Sequence, residues 1–334
     1  MTEYAVECTD VVRTFDDGKV RALDGVSLKV PRGQVFGLLG PNGSGKTTMV
    51  RILSTILMPE SGTVSILGYD VKKQPEKIRP LIGLAGQSAT VDENLTGFEN
   101  LRMMGRLNHM EKALVVTRAH ELLEQFGLTD AANRPVKTYS GGMRRRLDLG
   151  AALVAKPPLI FLDEPTTGLD PQSRQDLWTV IETLVEGGTT VLLTTQYLEE
   201  ADRLASYLVV LDHGKIIAEG TPGELKAMLG TTMLALTFST LSDATRGAAL
   251  VADLSSGPPN IDGSVVELTV NSGPAAAADA LRRIDAAHLA LTGLALREPS
   301  LDDVFLTLTG HKVEEDETDE VSDASKSKKR KGRS

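Results

Sequence analysis

The sequence is poor in aromatic residues, which make up 4% of it with one tryptophan, and it has one cysteine, Cys8, in 334 residues. A single cysteine excludes an intrachain disulfide and fits a reducing compartment. Its plain reading is a small, half-buried side chain near the start of a strand. No run of about 18 apolar residues occurs, so no segment is expected to span a bilayer. The opening stretch MTEYAVECTD has no basic region followed by an apolar one, and no signal peptide is expected. Positive charge is short as well. Against 45 Asp and Glu stand 36 Lys and Arg, a net charge of −9, which disfavours the nucleic-acid backbone as the main partner. The histidines at 109, 120, 213, 288 and 311 show no metal-ligand spacing and read as surface or turn residues.

What is present is an ordinary globular balance, 41% hydrophobic and 24% charged, with length for one large domain and an appendage. Residues 1–230 read as one α/β unit. Val35-Phe36-Gly37-Leu38-Leu39, Leu159-Ile160-Phe161-Leu162 and Thr190-Val191-Leu192-Leu193-Thr194 are continuous apolar runs, which suit a parallel sheet covered on both faces. Leu208–Leu211, His213-Gly214 and Lys215–Ala218 read as a hairpin. Between about 91 and 155 the pattern turns helical. Leu95, Phe98, Leu101, Met104 and Leu107 recur at helical spacing, as do Leu114, Ala119, Leu122, Leu123 and Phe126. This is expected to be an insert between two halves of the core. From Thr231 the composition shifts to Ala, Leu, Ser and Asp. Strands at Met233–Phe238 and Val265–Val270, a helix at Pro274–Ile284 and a short helix after an N-cap at Ser300 suggest a small α+β accessory domain over 231–310. The tail over 311–334 holds seven acidic residues and then six Lys and Arg. Such blocks with few apolar groups are expected to be disordered.

Gly40-Pro41-Asn42-Gly43-Ser44-Gly45-Lys46-Thr47 matches G-x-x-x-x-G-K-[ST], with an apolar strand before it and a helix-forming stretch from Thr48 to Leu57 after it. The glycines let backbone N–H groups turn toward phosphate oxygens, and the helix presents its positive end to the same anion. Lys46 supplies a point charge for the β- and γ-phosphates, and the Thr47 hydroxyl can ligate Mg²⁺. The strand Leu159–Leu162 ends in Asp163-Glu164. Asp163 is placed to hold Mg²⁺ through water, and Glu164 to act as general base on the attacking water. Trp178 reads as core.

Thr138-Tyr139-Ser140-Gly141-Gly142-Met143-Arg144-Arg145 makes the reading specific. Ser-Gly-Gly shortly before an Asp-Glu strand resembles the signature sequence of ATP-binding cassette (ABC) transporter ATPases. The resemblance implies a P-loop ABC ATPase core with a helical subdomain. It places Gln87 in a Q-loop that helps hold Mg²⁺, Thr166–Asp170 in a D-loop, and Phe15 against adenine. It gives the nucleotide contacts to Gly40–Thr48, Ser140–Met143 and Asp170. It further implies two ATP molecules sandwiched between two cassettes, so a homodimer, and a multi-span permease as partner at the cytoplasmic face of the membrane. Closer still, YSGGMRRR (Tyr139–Arg146), TTQYLEEAD (Thr194–Asp202) and REPSLDDVFL (Arg297–Leu306) resemble ATP-binding subunits of the daunorubicin-resistance type of drug exporter.

Two positions depart from the commonest family pattern. Met143 stands where Gln is usual, with little loss expected because the backbone and Ser140 make the phosphate contacts. Gln196 stands where His is usual. An amide can donate to the γ-phosphate and orient water but does not titrate, so Gln196 is either a catalytic positioning group or a passive side chain. The three arginines Arg144–Arg146 are expected to solvate a helix and favour phosphate nearby. The leading reading is an exporter ATPase for a drug or lipid. The rival, a soluble ABC ATPase acting on nucleic acid or ribosomes, is disfavoured by the single cassette, by the short stretch between Gln87 and the Asp163-Glu164 strand, which leaves no room for a coiled-coil insertion, and by the acidic block beside the basic tail.

Overall fold

Strands that alternate apolar and polar residues open the chain in this computed structural model, which describes residues 3–86, 91–228, 232–297 and 300–309. Gln87 and the charged tail lie outside the described residues. β1 (Tyr4–Phe15) and β2 (Val20–Pro31) form an antiparallel hairpin. β3 (Val35–Leu39) follows, buried along its whole length, and leads through the phosphate-loop sequence into α1 (Lys46–Leu53). The helix therefore begins two residues before the expected Thr48 and ends before Leu57. Gly45, at φ 113, lets Lys46 enter the helix at once, and Thr55 leaves it with φ 63. β4 (Ser61–Ile66) and the short β5 (Tyr69–Asp70) complete an antiparallel sheet in the order β2-β1-β4-β5.

After α2 (Pro75–Ile78) and β6 (Ile82–Ala85) come three helices. They are α3 (Gly97–Leu107), α4 (Lys112–Gln125) and α5 (Gly141–Ala152). α3 starts at a capping box in which Thr96 and Glu99 satisfy each other's backbone N–H groups. Leu101, Ala119, Leu122, Leu123 and Phe126 are buried as their spacing predicts, but Leu107 and Leu114 point to solvent, 66% and 54% exposed. β7 (Leu159–Asp163), α6 (Pro171–Glu186), β8 (Thr190–Thr195), α7 (Leu198–Leu204), β9 (Tyr207–Asp212), β10 (Lys215–Gly220) and α8 (Pro222–Met228) close the core. The β9–β10 hairpin turns at His213 and Gly214, both at positive φ, as the sequence predicts.

The central sheet has the order β10-β9-β3-β8-β7-β6 and is parallel except for β10. Its apolar runs are continuous because successive side chains face two different cores. Phe36, Leu38, Phe161, Leu192 and Val209 pack toward β1, β2, β4 and α1. Val35, Ile160, Leu162, Val191 and Leu193 pack toward α3 to α6. Cys8 is fully buried rather than half-buried, and burial pushes its thiol up to about 12.

Beyond α8 stand β11 (Thr232–Phe238), α9 (Leu241–Val251), β12 (Asn260–Asp262), β13 (Val265–Val270), α10 (Gly273–Ala286), β14 (Leu291–Arg297) and α11 (Leu301–Thr309). The four strands form an antiparallel sheet, β12-β13-β11-β14, with α9 and α10 covering Leu234, Leu236, Phe238, Val266, Leu268 and Val270. α11 does not join this core. Capped by Ser300, it packs Leu301, Val304 and Phe305 against Leu198 and Ala201 of α7 and Leu225 of α8.

Candidate nucleotide site

Three parallel neighbours bring the chemistry together. In register, Leu39 lies beside Thr195 and Asp163 beside Thr194. The residues just past these strand ends are Gly40, Gln196 and Glu164, so one edge of the sheet carries all three.

The loop after β3 is tightly seated. A Cβ at Gly40 would collide with the Leu211 carbonyl oxygen, and one at Gly45 with that of Ala22. Lys46 folds back inside the loop, where its Nζ donates to the carbonyls of Gly40 (2.7 Å) and Pro41 (3.0 Å). It also pairs with Glu164 Oε1 at 3.2 Å, both side chains being buried. Burial pushes the Lys46 pKa down from its ordinary value, and the Glu164 and Asp163 carboxylates oppose that shift. Ser44 Oγ is buried with no hydrogen-bond partner among the described residues.

A cavity of about 340 Å³ is lined by Phe15, Val20, Ala22, Asn42, Gly43, Gly45, Lys46, Thr47, Thr48 and Glu164. Phe15 from the β1–β2 turn thus shares a wall with the phosphate loop. Its ring is exposed and lies 5.1 Å from the Arg13 guanidinium carbon. Behind the cavity, Thr47 Oγ1 is 3.4 Å from Asp163 Oδ1, which also accepts from Thr194 Oγ1 at 2.6 Å. Thr47 and Asp163 offer a hydroxyl and a carboxylate, hard oxygen donors of the kind Mg²⁺ takes together with phosphate oxygens. Gln87, the third expected Mg²⁺ contact, lies outside the described residues.

A second cavity of about 600 Å³ adjoins the first, since Asn42 and Glu164 line both. Gln196, 7% exposed, lines it with Gly141, Arg144, Arg145, Asp148, Thr167, Gly168 and Leu169. Ser140 caps α5, accepting from the Met143 N–H at 3.2 Å. Ser140 and Gly141 are exposed, Gly142 is pressed against Ser173, and Met143 packs on the helical core. None of Ser140 to Met143 lines the smaller cavity, while Gly141 lines the larger one. Asp170 caps α6, and the Ser173 hydroxyl and N–H hold its carboxyl below the usual range.

The pattern of the ABC transporter family matches residues 23–167. The daunorubicin/doxorubicin resistance ATP-binding protein DrrA of Streptomyces peucetius is 46% identical over 96% of this chain and 97% of its own length. A doxorubicin resistance ATP-binding protein DrrA of Mycobacterium tuberculosis is 48% identical over 92% of this chain and 94% of its own. Among solved structures, a dimeric ATP-binding cassette in a post-hydrolysis state, bound to ADP and Pi, aligns with TM-score 0.60 at 28% identity, covering 65% of this chain and 98% of that one. The chain belongs to the ABC transporter family. It is an ABC ATPase and binds ATP.

For an ABC ATPase, two groups stand out that the motifs do not name. The arginines after the signature do not simply solvate α5. Arg144 donates to the Tyr139 carbonyl and pairs with Glu93, and Arg146 donates to the Phe126 carbonyl. Arg145 reaches the carbonyls of Gly86, Asp163, Glu164 and Pro165. Burial pushes its pKa down, opposed chiefly by the Asp148 carboxylate. The available signal was Asp148 itself, an acid one turn from Arg145 between leucines that are buried. The other group is Glu200 of α7, fully buried, accepting from the Trp178 indole at 3.0 Å. Burial raises its pKa, and the Trp178 indole N–H and neighbouring threonine hydroxyls act against that shift. Trp178 is core, as its sequence context predicts.

Proposed function

We propose that two copies of this ABC ATPase close on two Mg-ATP molecules and drive export of a hydrophobic or amphipathic compound, drug or lipid, through a separate multi-span permease at the cytoplasmic face of the membrane. The observation that carries the reading is the convergence of Phe15, Lys46, Thr47, Thr48 and Glu164 on one cavity. Lys46 and the loop N–H groups hold the phosphates, and Phe15 offers a face to the adenine. Mg²⁺, held by Thr47 and Asp163 with Gln87 as the third proposed ligand, neutralises phosphate charge when bound. Glu164 accepts the proton of the attacking water, and Gln196 orients that water and the γ-phosphate.

The second copy is supported by what the chain leaves undone. Ser140 and Gly141 sit exposed at a helix N-terminus and do not line the cavity of Lys46 and Thr47, though Gly141 lines the adjoining larger one. The Ser140 hydroxyl already accepts from Met143 and keeps its proton to donate. The D-loop with Asp170 would lie at the same junction. The solved relative is itself described as dimeric with ADP and Pi.

The export role rests on the drug-resistance names of relatives that match nearly the whole chain. Among the described residues no helix is long and apolar enough to cross a membrane, so a permease would supply the pathway. The net charge of −9 gives no support to a nucleic-acid partner. The helical insert is the proposed docking face. Leu95, Glu99, Arg102, Met103, Arg106 and Leu107 line a shallow site of about 340 Å³ there, with Leu107 largely exposed.

Crosslinking tests this reading. Single cysteines at Met103 and Leu107, in a Cys8→Ala background, are expected to capture a multi-span membrane protein from membranes of the source cell. Capture only through cysteines placed within 232–297 would move the interface. Capture of no membrane protein from any position would contradict the transport role.

A further inference from the structure

The signature helix grips the end of β7 through one side chain. Arg145 and Asp148 lie one turn apart on α5 and pair at 3.8 Å, with Asp148 fully buried. The guanidinium forks toward backbone. Nε donates to the Pro165 carbonyl at 2.7 Å, and Nη2 to those of Glu164 at 2.9 Å and Asp163 at 3.2 Å. Nη1 donates to the Gly86 carbonyl. These carbonyls come from two strand ends. β6 and β7 last pair at Ala85 and Leu162, so the oxygens beyond that point need donors from elsewhere.

Glu164 gives this grip its meaning. Its φ is 50, a left-handed conformation that costs a non-glycine residue on the order of 1–2 kcal/mol. Such a conformation persists only where the surroundings over-determine it. Here the Glu164 N–H donates to the Thr194 carbonyl at 3.0 Å, while its carbonyl accepts from Arg145. Held at both ends, the residue aims its carboxylate into the phosphate cavity, 3.2 Å from Lys46 Nζ. A lysine at 145 would carry the same charge but not the planar fork, and could not reach these carbonyls together.

We propose that Arg145 is a positioning residue for ATP hydrolysis, fixing the left-handed backbone of Glu164 so that its carboxylate meets the attacking water. The inference rests on the reading of Glu164 as the general base. A group that merely anchored α5 would instead affect folding and every activity alike.

A double-mutant cycle on the full chain separates these. Steady-state hydrolysis, Mg-ATP affinity and thermal unfolding are measured for the wild type, Arg145→Lys, Glu164→Gln and the double variant. Arg145→Lys is expected to lower kcat about 10-fold or more, the scale of a misplaced catalytic group, with KM and affinity within about 2-fold. In the Glu164→Gln background the same change is expected to leave residual turnover within about 2-fold, because the group it positions no longer acts. A wild-type kcat for Arg145→Lys, or an equal loss in both backgrounds, overturns the proposal. Should Arg145→Lys fail to fold, Asp148→Asn loosens the same guanidinium and takes its place in the cycle, with the same criteria. Glu164→Gln hydrolysing at the wild-type rate is a different failure. It overturns the general-base reading and the proposal with it.

Discussion

Gln196, just past β8, and Glu200, in α7, stand four residues apart, and each isolates a single physical effect. Gln196 is buried beside Glu164 in the larger cavity. An amide donates and accepts but does not titrate in the working range. Gln196→His is therefore expected to remain active, and Gln196→Ala to lose about 10²-fold in kcat, the scale of one lost transition-state donor, with nucleotide affinity kept. Steady-state hydrolysis between pH about 6 and 9 checks this. A wild-type rate for Gln196→Ala would make the side chain a bystander. Glu200 has no salt bridge among the described residues, and burial raises its pKa above the ordinary 4.5, opposed in part by the Arg174 charge. The native state then holds that proton more tightly than the unfolded chain. Its contribution to stability is full below the ordinary value and is lost as pH rises through the native one. Glu200→Gln keeps an acceptor for Trp178 and removes the charge. Its melting temperature is expected to match the wild type near pH 4.5 and to exceed it increasingly toward pH about 8. A pH-independent difference would contradict this. At this scale the residues brought together around the smaller cavity were legible because Gly40–Thr47 and Asp163-Glu164 are local strings with fixed chemistry. Arg145 was not: Asp148 one turn on was the one local sign, and the carbonyls that Arg145 reaches lie 18 to 59 residues away and leave no mark on sequence.

Elements were legible where one face decides them. The longer parallel strands announced themselves because both faces are covered, the four-residue β6 did not, and β9–β10 did because His213-Gly214 fits a two-residue turn. α9 and β14 were missed. α9 buries only small residues, Ala244, Gly247 and Ala248, with Val251, and β14 is an edge strand with Leu294 and Leu296 exposed, so neither shows a clean period. α11 was expected, but not its partner. Its Leu301, Val304 and Phe305 are buried against α7 and α8, the elements that follow Gln196. Phe305→Ala should cost about 3–5 kcal/mol, felt by the ATPase core. Urea unfolding followed through Trp178, which lies in that core, is expected to shift its midpoint. A shift confined to the accessory sheet, with the Trp178 transition unchanged, would contradict the packing.

At the scale of the whole molecule, each chain is proposed to carry both halves of a nucleotide site, to be joined by a second copy. The smaller cavity holds Lys46, Thr47 and Glu164, while Ser140 and Gly141 are exposed at the start of α5, outside that cavity. Two copies related by a twofold axis would join each half to its complement, an isologous arrangement that closes on itself. On that proposal Glu164 would set how long the pair lives, because hydrolysis would remove the phosphate bridging the two chains. The most direct test is the mass in solution of Glu164→Gln, measured by size-exclusion chromatography with light scattering in the presence and absence of Mg-ATP. The account predicts a stable dimer with Mg-ATP, a monomer without it, and hydrolysis lower by roughly 10²-fold or more. A Glu164→Gln chain that binds Mg-ATP and stays monomeric at every concentration tried would contradict it.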